Sequence, residues 1–234
     1  MFTILIADDN INFAKLLVND IVSTREDLRV IKIATNGKEA FDLMNSYQID
    51  IVLLDLKMSI YNGIEVLNML SKEKQKQYER SVIVITGEAE YIPQILKSPL
   101  VAYTVLKGIG QYDQILSKID SIVEEKSNSI IYKKIINELS NIGYNLNHNG
   151  TKYLIDTIFE IYLHQDSFQG NLQKEIYPLV SFYHHKSIHN IKCSITRATE
   201  NMVYYCNSET FNKYFNGFRP TTKTVINIIL NKLT

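Results

Sequence analysis

DIVLLDLKMSIYNG, residues 50–63, sets a short apolar run between two aspartates and then passes into a polar turn that closes on Gly63. An apolar run this brief, rich in Ile, Val and Leu and bounded by a turn, has the dimensions of a buried strand rather than a helix. Four runs of the same kind accompany it: FTILIA (2–7), RVIKIA (29–34), SVIVIT (81–86) and VAYTVL (101–106). Stretches with helical periodicity follow each strand, at about 11–23, 37–47, 63–73, 88–98 and 111–125. Five strand–helix alternations are the signal for a parallel sheet with helices on both faces, and nearly continuous apolar strands mean that both faces are covered. Residues 1–125 are therefore expected to form an α/β doubly wound, five-stranded parallel domain.

Beyond it the period changes. The polar stretch EKSNS, 125–129, supplies a short linker at 126–129, and every periodic segment after it is helical. Ile131, Ile135, Leu139 and Ile142 share one helix face, and Gly143 stands where a helix C-terminus is capped. Further helices are expected at about 151–164, 171–183, 188–205, 208–215 and 221–233, so residues 130–234 read as an all-α domain.

The chain has 234 residues, 45% hydrophobic and 21% charged, which is the composition of a folded soluble protein. No apolar run approaches the roughly 20 residues of a membrane helix, and the start MFTILIADDN is not a signal peptide, so a cytoplasmic protein is expected. Cys193 and Cys206, the only cysteines, read as reduced thiols. Residues 1–125 carry 13 Lys and Arg against 18 Asp and Glu, while residues 128–234 carry 11 against 7 together with all five histidines. An acidic half joined to a mildly basic half points to two domains with different partners.

Ligands of an open parallel sheet bind at the carboxyl ends of its strands, where the strand order reverses. Those ends carry Asp8 and Asp9 after the first strand, Asp55 after the third, Thr86 after the fourth and Lys107 after the fifth. Three carboxylates on one edge repel one another and favour a hard cation such as Mg2+. One of them can act as a nucleophile toward a phosphoryl donor, forming an aspartyl phosphate whose oxygens the cation and lysine neutralise. Asp8, Asp9 and Asn10 taken alone would be ordinary helix-capping residues. Their ordered occurrence with Asp55, Thr86 and Lys107 makes the chemical reading the stronger one.

With ADDN (7–10), LLDLKMSIYNG (53–63), VIVITG (82–87) and VLKG (105–108) as ordered blocks, residues 1–125 resemble the receiver domain of two-component response regulators. The resemblance implies Asp55 as phosphoacceptor, and Asp9, Asp55 and the main-chain carbonyl of Lys57 as metal ligands. It further implies Asp8 as a ligand through water, Thr86 as switch hydroxyl and Lys107 as phosphate partner. Three positions depart from the family pattern: Ser59 and Gly108 where proline is usual, and Thr104, with Tyr103 beside it, where an aromatic switch residue is often found.

In the second half, Ser187 is a plausible N-cap for a helix on which Ile188, Ile191, Ile195, Ala198 and Met202 share a face. His189, Asn190, Lys192, Cys193, Thr196 and Arg197 are left outward, a polar and basic set suited to major-groove readout by a helix-turn-helix. The same periodicity would also fit a solvated face of an ordinary bundle. His184-His185 read as solvated residues rather than zinc ligands. The segments INELSNIGYNLNHNGTKYLIDTI (136–158), KEIYP (174–178) and RPTTKTVINIILNKL (219–233), with the Ser187, Ile191 and Ile195 pattern, resemble the DNA-binding effector domain of the stage zero sporulation protein A family. Lys192, Cys193 and Thr196 stand where that family would carry Glu, Arg and Arg.

These readings converge on a phosphorylation-controlled, DNA-binding transcription regulator of a two-component phosphorelay, not an enzyme. Its expected partners are a sensor histidine kinase or phosphotransferase, double-stranded DNA, and a second copy of itself when phosphorylated. The alternative is a receiver joined to a helical protein-interaction domain that does not read DNA.

Overall fold

The computed structural model describes residues 1–72 and 79–233. The chain divides into two compact units, Met1–Lys126 and Ser127–Thr234. In the first unit, β1 (Phe2–Ala7), β2 (Leu28–Ala34), β3 (Ile51–Asp55), β4 (Ser81–Thr86) and β5 (Val101–Leu106) form one sheet in the order β2-β1-β3-β4-β5, every pair parallel. Successive side chains of a strand point to opposite faces, and both faces are apolar here. Ile4, Ile6, Ile51, Leu53, Ile83 and Ile85 enter one core. Leu5, Ala7, Val52, Leu54, Val82 and Val84 enter the other. This is the physical origin of the uninterrupted apolar runs.

Helix α1 (Ile11–Thr24) and the first part of α5 (Gln111–Ile142) cover the first face, through Phe13, Leu17, Ile21, Ile115, Ile119 and Ile122. Helices α2 (Gly37–Ser46), α3 (Gly63–Lys72) and α4 (Ile92–Ile95) cover the other, through residues such as Ala40, Met44, Val66, Leu67 and Ile95. The expected end of the third helix at residue 73 lies outside the described residues. The expected helix 88–98 is reduced to a 3-10 turn at Ala89–Tyr91 and the single turn of α4. Pro93 is tolerated only within a first turn, and Pro99 disfavours helical geometry at Ser98, so the helix has no room to lengthen.

The stretch 126–129, read as a linker, is helical: α5 runs unbroken from Gln111 to Ile142. No glycine or proline lies within it, and Glu124, Glu125 and Lys126 are good helix formers, so polarity alone does not end a helix. The helix ends at Gly143, where φ is +105°; Tyr144 N–H donates to the Leu139 carbonyl and Gly143 N–H to that of Ser140, both at 3.0 Å. That is the Schellman pattern, which uses a left-handed residue to satisfy the last carbonyls.

The second unit is all-α. Residues 127–142 of α5 are joined by α6 (Asn149–Leu163), α7 (Leu172–Glu175), α8 (Tyr177–His184), α9 (Ile188–Tyr205), α10 (Ser208–Phe215) and α11 (Thr222–Leu233). The expected single helix 171–183 is two pieces broken at Ile176, because Pro178 cannot donate a backbone hydrogen bond and its ring would crowd the carbonyl of Lys174. Ile135, Leu139, Leu154, Ile158, Val180, Ile191, Ile195 and Ile229 share one core. Gly150 lets α6 lie directly on α9: a Cβ there would stand 2.0 Å from the Ser194 carbonyl oxygen.

Candidate functional site

From β1 the chain builds outward to β2 on one side and, after returning, through β3, β4 and β5 on the other. The strand order reverses between β1 and β3, and the carboxyl ends of these two strands bring Asp8, Asp9 and Asp55 together. Their carboxylate oxygens lie within 4.8 Å of one another. Asp8 and Asp55 are buried and Asp9 is exposed. Asn10 caps α1, accepting from Phe13 N–H at 3.1 Å, while its own N–H donates to Asp8 Oδ1 at 2.8 Å, fixing that carboxylate.

Lys107, one residue past β5, reaches across the pocket. Its Nζ donates to Asp55 Oδ2 at 2.8 Å and to Asp8 Oδ2 at 2.9 Å, and lies 5.2 Å from the centre of the Phe13 ring. Burial pushes the Asp55 carboxyl above the ordinary carboxylate value; Lys107 opposes that shift and the neighbouring charge of Asp8 adds to it. Burial works against the Lys107 ammonium, but its bonds to Asp55 and Asp8 overturn this and raise its pKa. Asp55 is thus a carboxylate held in a poorly solvated pocket by one cation and faced by two other acids. Three hard oxygen donors this close fit a small divalent cation, which would relieve their repulsion.

Lys57 has an exposed side chain, and its backbone, two residues past Asp55, favours the ionised form of that carboxylate. Thr86 is buried at the end of β4, one residue beyond Ile85, the β4 partner of Asp55. Its hydroxyl oxygen accepts from Glu88 N–H at 3.0 Å, so it terminates the β4 loop in this conformation.

Two glycines not singled out as site residues in the sequence allow close approaches to Asp55 and the loop that follows it. A Cβ on Gly63 would meet the Asp55 carbonyl oxygen at 2.5 Å, and one on Gly37 would meet the Tyr61 carbonyl oxygen at 1.9 Å. Between them Ser59 accepts from Tyr61 N–H at 2.9 Å across Ile60, whose φ is +69°. A three-residue turn of this hand is rare, and a β-branched residue in it is strained. Their signal in the sequence is modest: each glycine opens a helix instead of closing one.

The departures at β5 have a structural meaning. Tyr103 packs on the α1/α5 side, its hydroxyl donating to Glu125 at 3.2 Å with the Lys118 ammonium 4.9 Å from its ring centre. Thr104 is the next residue, so its side chain takes the other face of the sheet, and its hydroxyl is buried with no hydrogen-bond partner among the described residues. The peptide between Lys107 and Gly108 is trans.

In the second unit, α8 and α9 are separated by three residues, with His185 in the left-handed region at φ +50° and Ser187 capping α9 by accepting from Asn190 N–H at 3.2 Å. Ile191, Ile195, Ala198 and Met202 are buried, whereas Ile188 is exposed. His189, Asn190, Lys192, Thr196 and Arg197 are exposed on α9; Cys193 is half-buried, its Sγ 3.5 Å from His189 Nε2. A short helix and a longer one across a tight turn, the second with a polar outer face, form the framework of a helix-turn-helix.

The sequence model of the response regulator receiver domain matches residues 4–120, half of the chain. The chain is a response regulator. A second model, that of the sporulation initiation factor Spo0A C terminal, matches residues 135–233, so the regulator is of the Spo0A type. Among curated proteins, a protein-glutamate methylesterase/protein-glutamine glutaminase from Saccharophagus degradans is 31% identical over 105 residues, 40% of this chain and 28% of that protein. The regulator therefore spans little more than a quarter of that relative's length. Among solved structures, the receiver domain of the Francisella response regulator 1452 is 22% identical, covering 54% of this chain and 99% of that one at a TM-score of 0.47. The Thermotoga maritima regulator TrrA, solved with Mg2+ and beryllofluoride, is 28% identical, covering 52% and 99% at a TM-score of 0.45. Among the described residues of this regulator, no helix is long and apolar enough to cross a membrane.

Proposed function

We propose that the regulator accepts a phosphoryl group on Asp55 from a sensor histidine kinase or phosphotransferase, and that this modification controls binding of double-stranded DNA by the second unit. The observation that carries the reading is the Asp8, Asp9, Asp55 and Lys107 cluster at the point where strand order reverses. Asp9, Asp55 and the main-chain carbonyl of Lys57 would hold Mg2+, with Asp8 ligating through water. The cation, when bound, supplies charge neutralisation at the phosphoryl oxygens.

The chain's own residues do the rest. An Asp55 oxygen attacks phosphorus, the bond to the donor breaks, and the leaving group departs opposite the attacking oxygen. Lys107, already bonded to Asp55, turns its ammonium to a phosphoryl oxygen, and Thr86 exchanges its contact with Glu88 N–H for one as donor to another. His189, Asn190, Lys192, Cys193, Thr196 and Arg197 form the DNA face of α9. Asn190 suits bidentate pairing with adenine, and Lys192 and Arg197 suit phosphates. We assign the chain a regulatory role in transcription similar to that of the sporulation initiation family, with paired half-sites read by a phosphorylation-induced homodimer.

Incubation with acetyl phosphate and Mg2+ is expected to label the parent and leave Asp55→Asn unlabelled. Labelling that persists in the variant, or that is unchanged by chelator, would refute the acceptor assignment. A parent that binds no duplex fragment at low salt, with or without beryllofluoride, would favour a protein-interaction role for the second unit.

A further inference from the structure

A groove of about 560 Å3 lies within the second unit, between α9 and the first turn of α11. Lys192, Thr196 and Glu200 line it from α9, and Arg219, Thr221 and Lys223 from the opposite wall. Three cations thus face one carboxylate across a cleft open to water. None of the three cations forms an ion pair with a described residue, whereas Arg25, Lys38, Lys107 and Lys232 are all engaged with carboxylates. Among the described residues, then, Arg219 and Lys223 have no ion-pair partner.

Their placement argues the same way. Pro220 is buried and draws Arg219 toward extended backbone geometry, so the guanidinium is carried on an anchored segment at the rim. Lys223 lies in the first turn of α11, where the helix dipole disfavours a cation, so helix stability does not account for it. Lys192 and Thr196 belong both to this groove and to the outward face of α9, which makes the groove continuous with the proposed DNA face.

The geometry points to this groove as the seat of the DNA backbone: phosphates of one strand lie in it, held by Arg219 and Lys223 opposite Lys192. The inference rests on the DNA-binding reading above. A helix lying in the major groove has the phosphates of the flanking strand at its sides, and contacts to them fix its register without reading bases. Arginine suits this role because its guanidinium can grip two phosphate oxygens at once.

The test uses the full chain, a duplex selected from genomic fragments by the parent, and an unrelated duplex of equal length, each titrated across a salt series. Arg219→Ala and Lys223→Ala are each expected to weaken both duplexes by a similar factor. Each should also reduce the slope of log affinity against log salt by about one, the release expected for one lost phosphate contact. The preference between the duplexes stays as in the parent, and Arg219→Lys keeps the parent slope. Unchanged affinity and slope in the double variant Arg219→Ala/Lys223→Ala would overturn the inference, as would a lost preference at constant slope. Failure of the parent to bind either duplex would overturn the DNA-binding reading itself, and this inference with it.

Discussion

Ile60 is a β-branched residue in the left-handed region, two-thirds exposed, in the loop that follows the phosphoacceptor. Its backbone conformation costs on the order of 1–3 kcal/mol, and its side chain recovers little of that through burial. Ile60→Gly is expected to raise the stability of the first unit by about 1 kcal/mol, measured as a shift of the urea midpoint at unchanged slope. Glu160 presents the opposite kind of strain. Burial raises its pKa above the ordinary value, with the charge of Asp156 adding to the shift and His164 opposing it. A carboxyl that holds its proton more tightly when folded lends stability that is complete below its unfolded pKa and is lost as pH rises through the folded value. Glu160→Gln should therefore melt a few degrees higher than the parent at pH 7, with the gain shrinking as pH falls toward the unfolded carboxyl range. A gain independent of pH would contradict the assignment of the cost to the ionised form. The acidic pocket was the most legible group of residues, because strand ends can be counted from sequence and each one carries a titratable or hydroxyl side chain. Arg219 and Lys223 were not legible in this way, since only tertiary packing sets the first turn of α11 opposite α9.

At the scale of elements, α9 is held in place by α6, and the contact depends on one missing Cβ. Gly150→Ala would drive a methyl group into the Ser194 carbonyl and the Ala198 methyl, and the Ser194 backbone cannot swing aside as a flexible side chain would. Overpacking of this kind is expected to cost about 3 kcal/mol. The loss should fall on the second unit, lowering its melting transition and its DNA affinity together while acetyl phosphate labelling of Asp55 stays at the parent level. Loss of labelling would show that the two units are not energetically separable. Strand positions were readable because burial on both faces leaves an uninterrupted apolar run, and α9 was readable because its buried residues repeat at helical spacing. Helix ends were read less well wherever proline or polarity had to be weighed against packing. Pro178 breaks what periodicity joins, Pro93 and Pro99 shorten α4, and the polar stretch 126–129 continues α5 since nothing in it opposes a helix.

For the whole molecule, the account requires that chemistry at Asp55 be felt as a change in DNA affinity. Thr104 and Tyr103 bear on how that happens. With no aromatic side chain at position 104, and with Tyr103 on the opposite face bonded to Glu125, β5 lacks a ring free to move toward Thr86. Transmission is then expected to run through Lys107 and the β5 backbone, so Thr104→Ala should leave phosphorylation-dependent association intact. Sedimentation with and without beryllofluoride checks this: a mass increase in the parent and in Thr104→Ala is the expected result, and loss of the increase in the variant alone would restore a switching role to that position. The central claim is tested most directly by titrating a parent-selected duplex with the full chain and with Asp55→Asn, each with Mg2+, in the presence and absence of beryllofluoride. The account predicts that beryllofluoride raises the affinity of the parent by about tenfold or more, an allosteric coupling of ordinary size, and leaves Asp55→Asn at its basal value. Equal affinities for the parent in the two conditions, or an equal rise in the variant, would contradict it.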